Sequence, residues 1–131
     1  MSKTKKGSNA QFTSAGKGLT VIDNYAYAYS GDVSVGQPAK QMLLFQSPKE
    51  PIKGTLTMTK NNTDGDDYIY RLYFNGILVI GWANDYSAGG WNQVTMPIII
   101  PPLTEVEVTA YNDTGDNGRN INASIVGTLN G

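Results

Sequence analysis

The sequence predicts an all-β protein, an antiparallel β-sandwich with an extended N-terminal arm, and three observations carry that expectation. Apolar and polar residues alternate with a period of two over several short runs, as in Leu56 and Met58 between Thr55, Thr57 and Thr59. Turn-forming groups of Gly, Pro, Asn and Asp separate those runs at short intervals. No stretch carries the three-to-four spacing of an amphipathic helix. At 131 residues the chain has the length of one domain and can bury a core without disulfides, which it also lacks the cysteines to form.

From Met1 to Gly18 the chain is rich in Ser, Lys, Gly and Thr and too poor in apolar residues to offset the entropy of ordering, which predicts a flexible arm over residues 1–18. The arm is basic: Lys3, Lys5, Lys6 and Lys17 face no acid within it, whereas the remainder carries eleven acids against six bases. These lysines are the candidate partner-binding positions of the arm. A single sandwich domain over residues 19–131 follows.

Strands are expected at Leu19–Ile22 and Tyr25–Tyr29, the latter with its tyrosines on one side, then at Asp32–Val35 and Met42–Phe45. Ser30-Gly31-Asp32 and Ser47-Pro48 punctuate them. Gly54–Lys60 alternates cleanly. The next two runs meet at Asn75-Gly76, a pair that tolerates the positive φ angles of a type I′ turn and so predicts a tight hairpin. Counting outward from that turn without interruption sets Arg71 opposite Ile80 and Ile69 opposite Trp82 on one side, and Leu72 opposite Val79 on the other. Trp91–Ile100 forms the next strand, stopped by Pro101-Pro102. Thr104–Asn112 points Val106, Val108 and Ala110 inward, and Ile121, Ala123, Ile125, Gly127 and Leu129 line the inner side of the last strand. Strands at this spacing fit a jelly roll or an immunoglobulin-like sandwich, and the absence of a core cystine favours the jelly roll.

Both sides of the hairpin read as apolar, which implies cover on both faces. The second face, Ile69, Arg71, Tyr73, Leu78, Ile80 and Trp82, is the candidate oligomer interface, with a trimer or ring as the expected cover.

Without His or Cys the chain lacks the usual imidazole bases, thiolate nucleophiles and zinc ligands, and its scattered carboxylates have no spacing suited to paired acid–base work, so no enzyme and no cofactor is expected. Asp64, Asp66 and Asp67 cluster in a loop and are candidates for a hard cation, though they lack the EF-hand spacing and an ordinary hairpin loop explains them. Tyr86 and Trp91 beside a Gly-rich loop are candidates for stacking on sugar rings, against packing in the core or an interface. No apolar run is long enough to span a bilayer and no signal peptide leads the chain, so synthesis in the cytoplasm and no membrane partner are expected.

The runs Tyr29-Ser30-Gly31, Leu44-Phe45 with Ser47-Pro48, Leu72–Gly76, Ile99–Ala110 and Ala123–Gly127 resemble small β-sandwich virion proteins of marine phages and viruses. The resemblance covers most of residues 25–131 and rests on strand edges and turns. It implies a non-enzymatic virion role as a capsid decoration, cement or vertex protein, with the major capsid protein or another virion protein as partner besides the chain itself. Two alternatives stand beside it: a carbohydrate-binding module for host attachment, and a small shell-forming coat protein whose arm contacts nucleic acid.

Overall fold

A computed structural model describes residues 10–11, 18–60, 67–84, 92–113 and 119–129. The described elements are strands: β1 (Ala10–Gln11), β2 (Leu19–Ile22), β3 (Tyr25–Tyr29), β4 (Val33–Val35), β5 (Lys40–Gln46), β6 (Ile52–Lys60), β7 (Tyr68–Phe74), β8 (Ile77–Asn84), β9 (Asn92–Ile100), β10 (Glu105–Asn112) and β11 (Arg119–Leu129). They form two antiparallel sheets packed face to face. The larger runs β1-β2-β3-β11-β6-β9, with β4 also on β11, and the smaller runs β5-β10-β7-β8.

The pairings nest around one turn. β7 pairs with β8 across Asn75-Gly76, then β6 with β9, β5 with β10 and β3 with β11. This is the pairing of one long hairpin rolled over into two sheets, a jelly roll. Asn75 and Gly76 have φ of 52° and 79°, as a type I′ turn requires. The tip is also fixed from outside: the Asn75 amide donates to the Glu105 carbonyl at 2.8 Å, and the Glu105 amide donates to Asn75 Oδ1 at 2.9 Å. A Cβ on Gly76 would meet nothing within 4 Å, so any cost of replacing it comes from its φ alone. Gly76→Val is expected to lose about 1–3 kcal/mol in denaturant unfolding while Gly76→Asn loses little, and equal stability of all three proteins would remove the turn's role.

Alternation sets the core as the sequence predicts. Leu56 and Met58 point inward, as do Val106, Val108 and Ala110, and Ile121, Ala123 and Ile125, all buried. Beside β10, the small sheet adds Met42, Leu43, Phe45, Tyr68, Tyr70 and Leu72 to the same cluster.

The hairpin register differs from the uninterrupted count. Phe74 pairs with Ile77 and Tyr73 with Leu78, but Leu72 then pairs with Ile80, Arg71 with Gly81 and Tyr70 with Trp82. Val79 is the extra residue of a β-bulge, and one extra residue moves everything beyond it to the other side. Ile80 and Trp82 thus belong to the inward side of the strand, where the Trp82 ring lies 5.6 Å from that of Tyr70.

Two buried serines hold the sandwich where strands change partner. β3 and β4 run along the same side of β11 with a break between them. In that break the Ser30 amide donates to the Ala123 carbonyl, and Ser30 Oγ accepts from the Ala123 amide at 2.8 Å. Ser47, after β5, repeats the device on the approach to β10: its amide donates to the Thr104 carbonyl, while Oγ accepts from the Thr104 amide at 2.8 Å and donates to the Pro101 carbonyl at 2.7 Å. Leu103, in the same corner, holds a left-handed φ of 52°, with its amide donating to the Pro48 carbonyl. Such a φ strains a branched side chain and persists because the surrounding bonds fix it.

Candidate functional site

The bulge divides the hairpin's candidate interface. Ile69, Arg71 and Tyr73 stay on the outer face of the small sheet with Leu78, all at least partly exposed, whereas Ile80 and Trp82 sit inward at its edge. What remains outside is mixed in character. Tyr73 lies between Leu78 and Glu107, whose Oε2 accepts from Gln41 Nε2 at 3.0 Å. The Arg71 guanidinium rests 5.2 Å from the centre of the Tyr111 ring. Glu107 and Arg71 thus interrupt the apolar patch that a simple alternation predicts.

The apolar exposure lies instead along the strand at the sheet's edge. Ile77, Leu78, Val79 and Ile80 are 71%, 50%, 44% and 36% exposed, four consecutive aliphatic residues of β8. β8 has no charged residue from Ile77 to Asn84. The Trp82 indole Nε1, buried beside this run, has no acceptor among the described residues.

The outer face of the large sheet is the second surface that sets this molecule apart. Registered rows cross it: Tyr29, Ser124, Thr57 and Thr95 form one, Tyr27, Val126, Thr55 and Pro97 the next, and Tyr25, Thr128, Lys53 and Ile99 a third. Lys53 is the one charged side chain on the strand positions of this face among the described residues. Tyr25, Tyr29, Val126 and Ile99 are each at least half exposed. Tyr27 and Tyr29 contact each other with ring centres 5.1 Å apart. A shallow groove of about 680 Å³ runs over the paired Gly54 and Gly127, walled by Pro97, Ile99, Val126 and Thr128. The sequence signal for this face was the Tyr25-Tyr27-Tyr29 alternation, which marks a common side without saying which way it points.

At one end of the core Lys60 is fully buried, its Nζ 5.6 Å from the centre of the Tyr68 ring, and Tyr68 pairs with the equally buried Asn112. The inward alternation of Leu56 and Met58 continues to Lys60, and only the charge of its side chain hid that burial in the sequence. Asp67 precedes this group and is half-buried, with its carbonyl accepting from the Asp113 amide. Its expected companions Asp64 and Asp66 lie outside the described residues, as do Tyr86, Trp91 and the arm lysines Lys3, Lys5, Lys6 and Lys17. Among the described residues no three carboxylates converge, and no helix is long and apolar enough to cross a membrane. Two residues within the arm, Ala10 and Gln11, pair with Val21 and Thr20 of β2.

No protein-family model matches the chain, and no curated protein matches it. Solved structures share its fold. A protein of Bacillus endospore appendages, described as a novel family of disulfide-linked pili, aligns over 98% of this chain and 100% of its own with a TM-score of 0.51 at 13% identity. A chain of infectious bursal disease virus, Gx strain, aligns over 89% of this chain and 36% of its own, with a TM-score of 0.49 at 15% identity. A family 35 carbohydrate-binding module from Clostridium thermocellum aligns over 92% of this chain and 84% of its own, with a TM-score of 0.44 at 16% identity. At such identities the likeness is one of fold. The disulfide links named for the pili are closed to this chain, which has no cysteine.

Proposed function

We propose that the chain is a non-enzymatic structural subunit of a virion, a capsid-associated protein of the decoration, cement or vertex kind that acts through protein contacts with its own copies and with a capsid protein. The observation that carries this reading is the outer face of the large sheet, with Lys53 as its one charge among the described strand positions. Interface centres are depleted in charge and enriched in tyrosine, as this face is. A rigid jelly roll presents such a face without rearrangement, so little ordering entropy opposes docking. The resemblance of the strand-edge and turn motifs to small virion proteins supplies the setting. Mass spectrometry of purified particles of the encoding virus tests the reading. The chain is expected in fixed ratio to the major capsid protein, and its absence from particles while it is abundant in infected cells would overturn the proposal.

Exposed Tyr25 and Tyr29 beside the hydroxyl rows of Ser124, Thr57 and Thr95 favour one second reading, a face that receives host glycans. Glycan-array binding that is lost in Tyr25→Ala and Tyr29→Ala would support it over the protein-contact reading.

A further inference from the structure

We infer that β8 is an assembly edge, and that it pairs with β8 of a second copy about a twofold axis to join two small sheets into one. This rests on the reading of the chain as an assembling structural subunit and specifies the contact.

An unpaired strand edge is a template for another chain, and folded proteins blunt such edges with charge, proline or cover. Among the described strands four other edges carry such a device, that of β4 simply by being three residues long. β9 has Pro97, which offers no amide hydrogen, in mid-strand. β2 is covered at Thr20 and Val21 by Gln11 and Ala10. β5 opens on exposed Lys40, a charge that β8 lacks. β8 has neither charge nor proline, and its bulge at Val79 leaves the aliphatic run beside it open.

The occupant follows from chemistry on both sides of the strand. Residues of opposite orientation are exposed in succession, Ile77 and Leu78, then Val79 and Ile80, so the partner must be apolar above and below its own strand as well as able to pair. Among the described strands the edge of this character is β8 itself. Antiparallel self-pairing opposes no like charges, because β8 holds none. Ile77–Ile80 expose roughly 350 Å² per copy, less than half of the roughly 800 Å² per partner of a standard interface, so the pairing is a small, reversible contact that relies on backbone hydrogen bonds as well as apolar area. The contact is twofold, so the trimer or ring expected from the sequence would require a further surface.

Two readouts on the full chain test this. Amide hydrogen exchange over Ile77–Asn84 is expected to slow as protein concentration rises, since strand pairing protects backbone amides whereas contact through a sheet face does not. In sedimentation equilibrium, Leu78→Lys and Val79→Lys are expected to raise the dimer dissociation constant about a hundredfold, while Lys49→Glu, exposed in the turn between β5 and β6 and part of neither surface, leaves it unchanged. Should either lysine variant fail to fold, Leu78→Thr and Val79→Thr test the same edge without adding charge and are expected to weaken the dimer in the same direction. Concentration-independent exchange in β8, or a dimer that survives folded β8 variants, overturns the inference. A dimer that follows these expectations but is absent from particles leaves the β8 contact standing and removes the virion role. A particle-bound chain that is monomeric in solution does the reverse.

Discussion

Gly127→Ala is expected to be the most damaging single-atom-scale change in the protein. Gly127 of β11 and Gly54 of β6 face each other at the centre of the large sheet. A Cβ on Gly127 would overlap the Lys53 carbonyl oxygen and stand 2.6 Å from the Gly54 Cα. The atoms it meets are backbone, so no rotamer change relieves the overlap. The strands must part instead, in the middle of a ladder that continues to β9 on one side and β3 on the other. Overpacked side chains cost about 1–3 kcal/mol, and a backbone-on-backbone clash should exceed that, at roughly 3–5 kcal/mol. Gly54→Ala should behave alike, with its Cβ 2.7 Å from the Val126 carbonyl oxygen. Gly81→Ala is the control, because its nearest neighbours stand 3.8 Å away. Denaturant midpoints of the three variants measure the difference, and a Gly127→Ala protein as stable as Gly81→Ala would refute the close approach.

The second large effect is expected at Ser47. Its hydroxyl accepts from the Thr104 amide and donates to the Pro101 carbonyl, and both Ser47 and Thr104 are buried. Ser47→Ala leaves a buried amide without its acceptor, and stranding such a donor costs its desolvation as well as the bond, about 2–3 kcal/mol in all. Thr104→Val removes the Thr104 Oγ1 bond to the Pro102 carbonyl and leaves the backbone bonds in place, so it should cost roughly 1 kcal/mol. Thermal unfolding that ranks Thr104→Val as the more damaging change would contradict the role given to Ser47. Ser30, which binds both backbone groups of Ala123, should follow the Ser47 pattern.

What was legible in the sequence was the local part of the fold. The two-residue period turned Leu56, Met58, Val106, Val108, Ala110 and Ile125 inward as read, and Asn75-Gly76 formed its turn. Long-range pairing was not legible, because nothing in the composition of β3 names β11 as its neighbour; the partner is set by how the hairpin rolls. The bulge at Val79 also left no mark, since valine there resembles any strand residue, and one unmarked insertion moved Ile80 and Trp82 out of the predicted outer face. In β3 the usual ranking runs backwards: Ala26 and Ala28 are buried and the tyrosines point outward. The core already holds Phe45, Tyr68 and Tyr70, and small residues complete it. The outer tyrosine face was therefore visible as a period and became a surface only when the sheets were in place. Ser30 and Ser47 read as turn residues because their bonds reach partners far along the chain, Ala123 and Thr104.

As the assembling subunit proposed above, this domain is expected to associate with its own copies. Sedimentation velocity of the unmodified full chain from about ten to several hundred micromolar tests it most directly, a range that reaches the weak, reversible association expected of so small a contact. The expected result is a species of at least twice the 14.1 kDa of one chain, dissociating on dilution. A single 14.1 kDa species across the whole range, with Ile77–Ile80 left exposed, would contradict it.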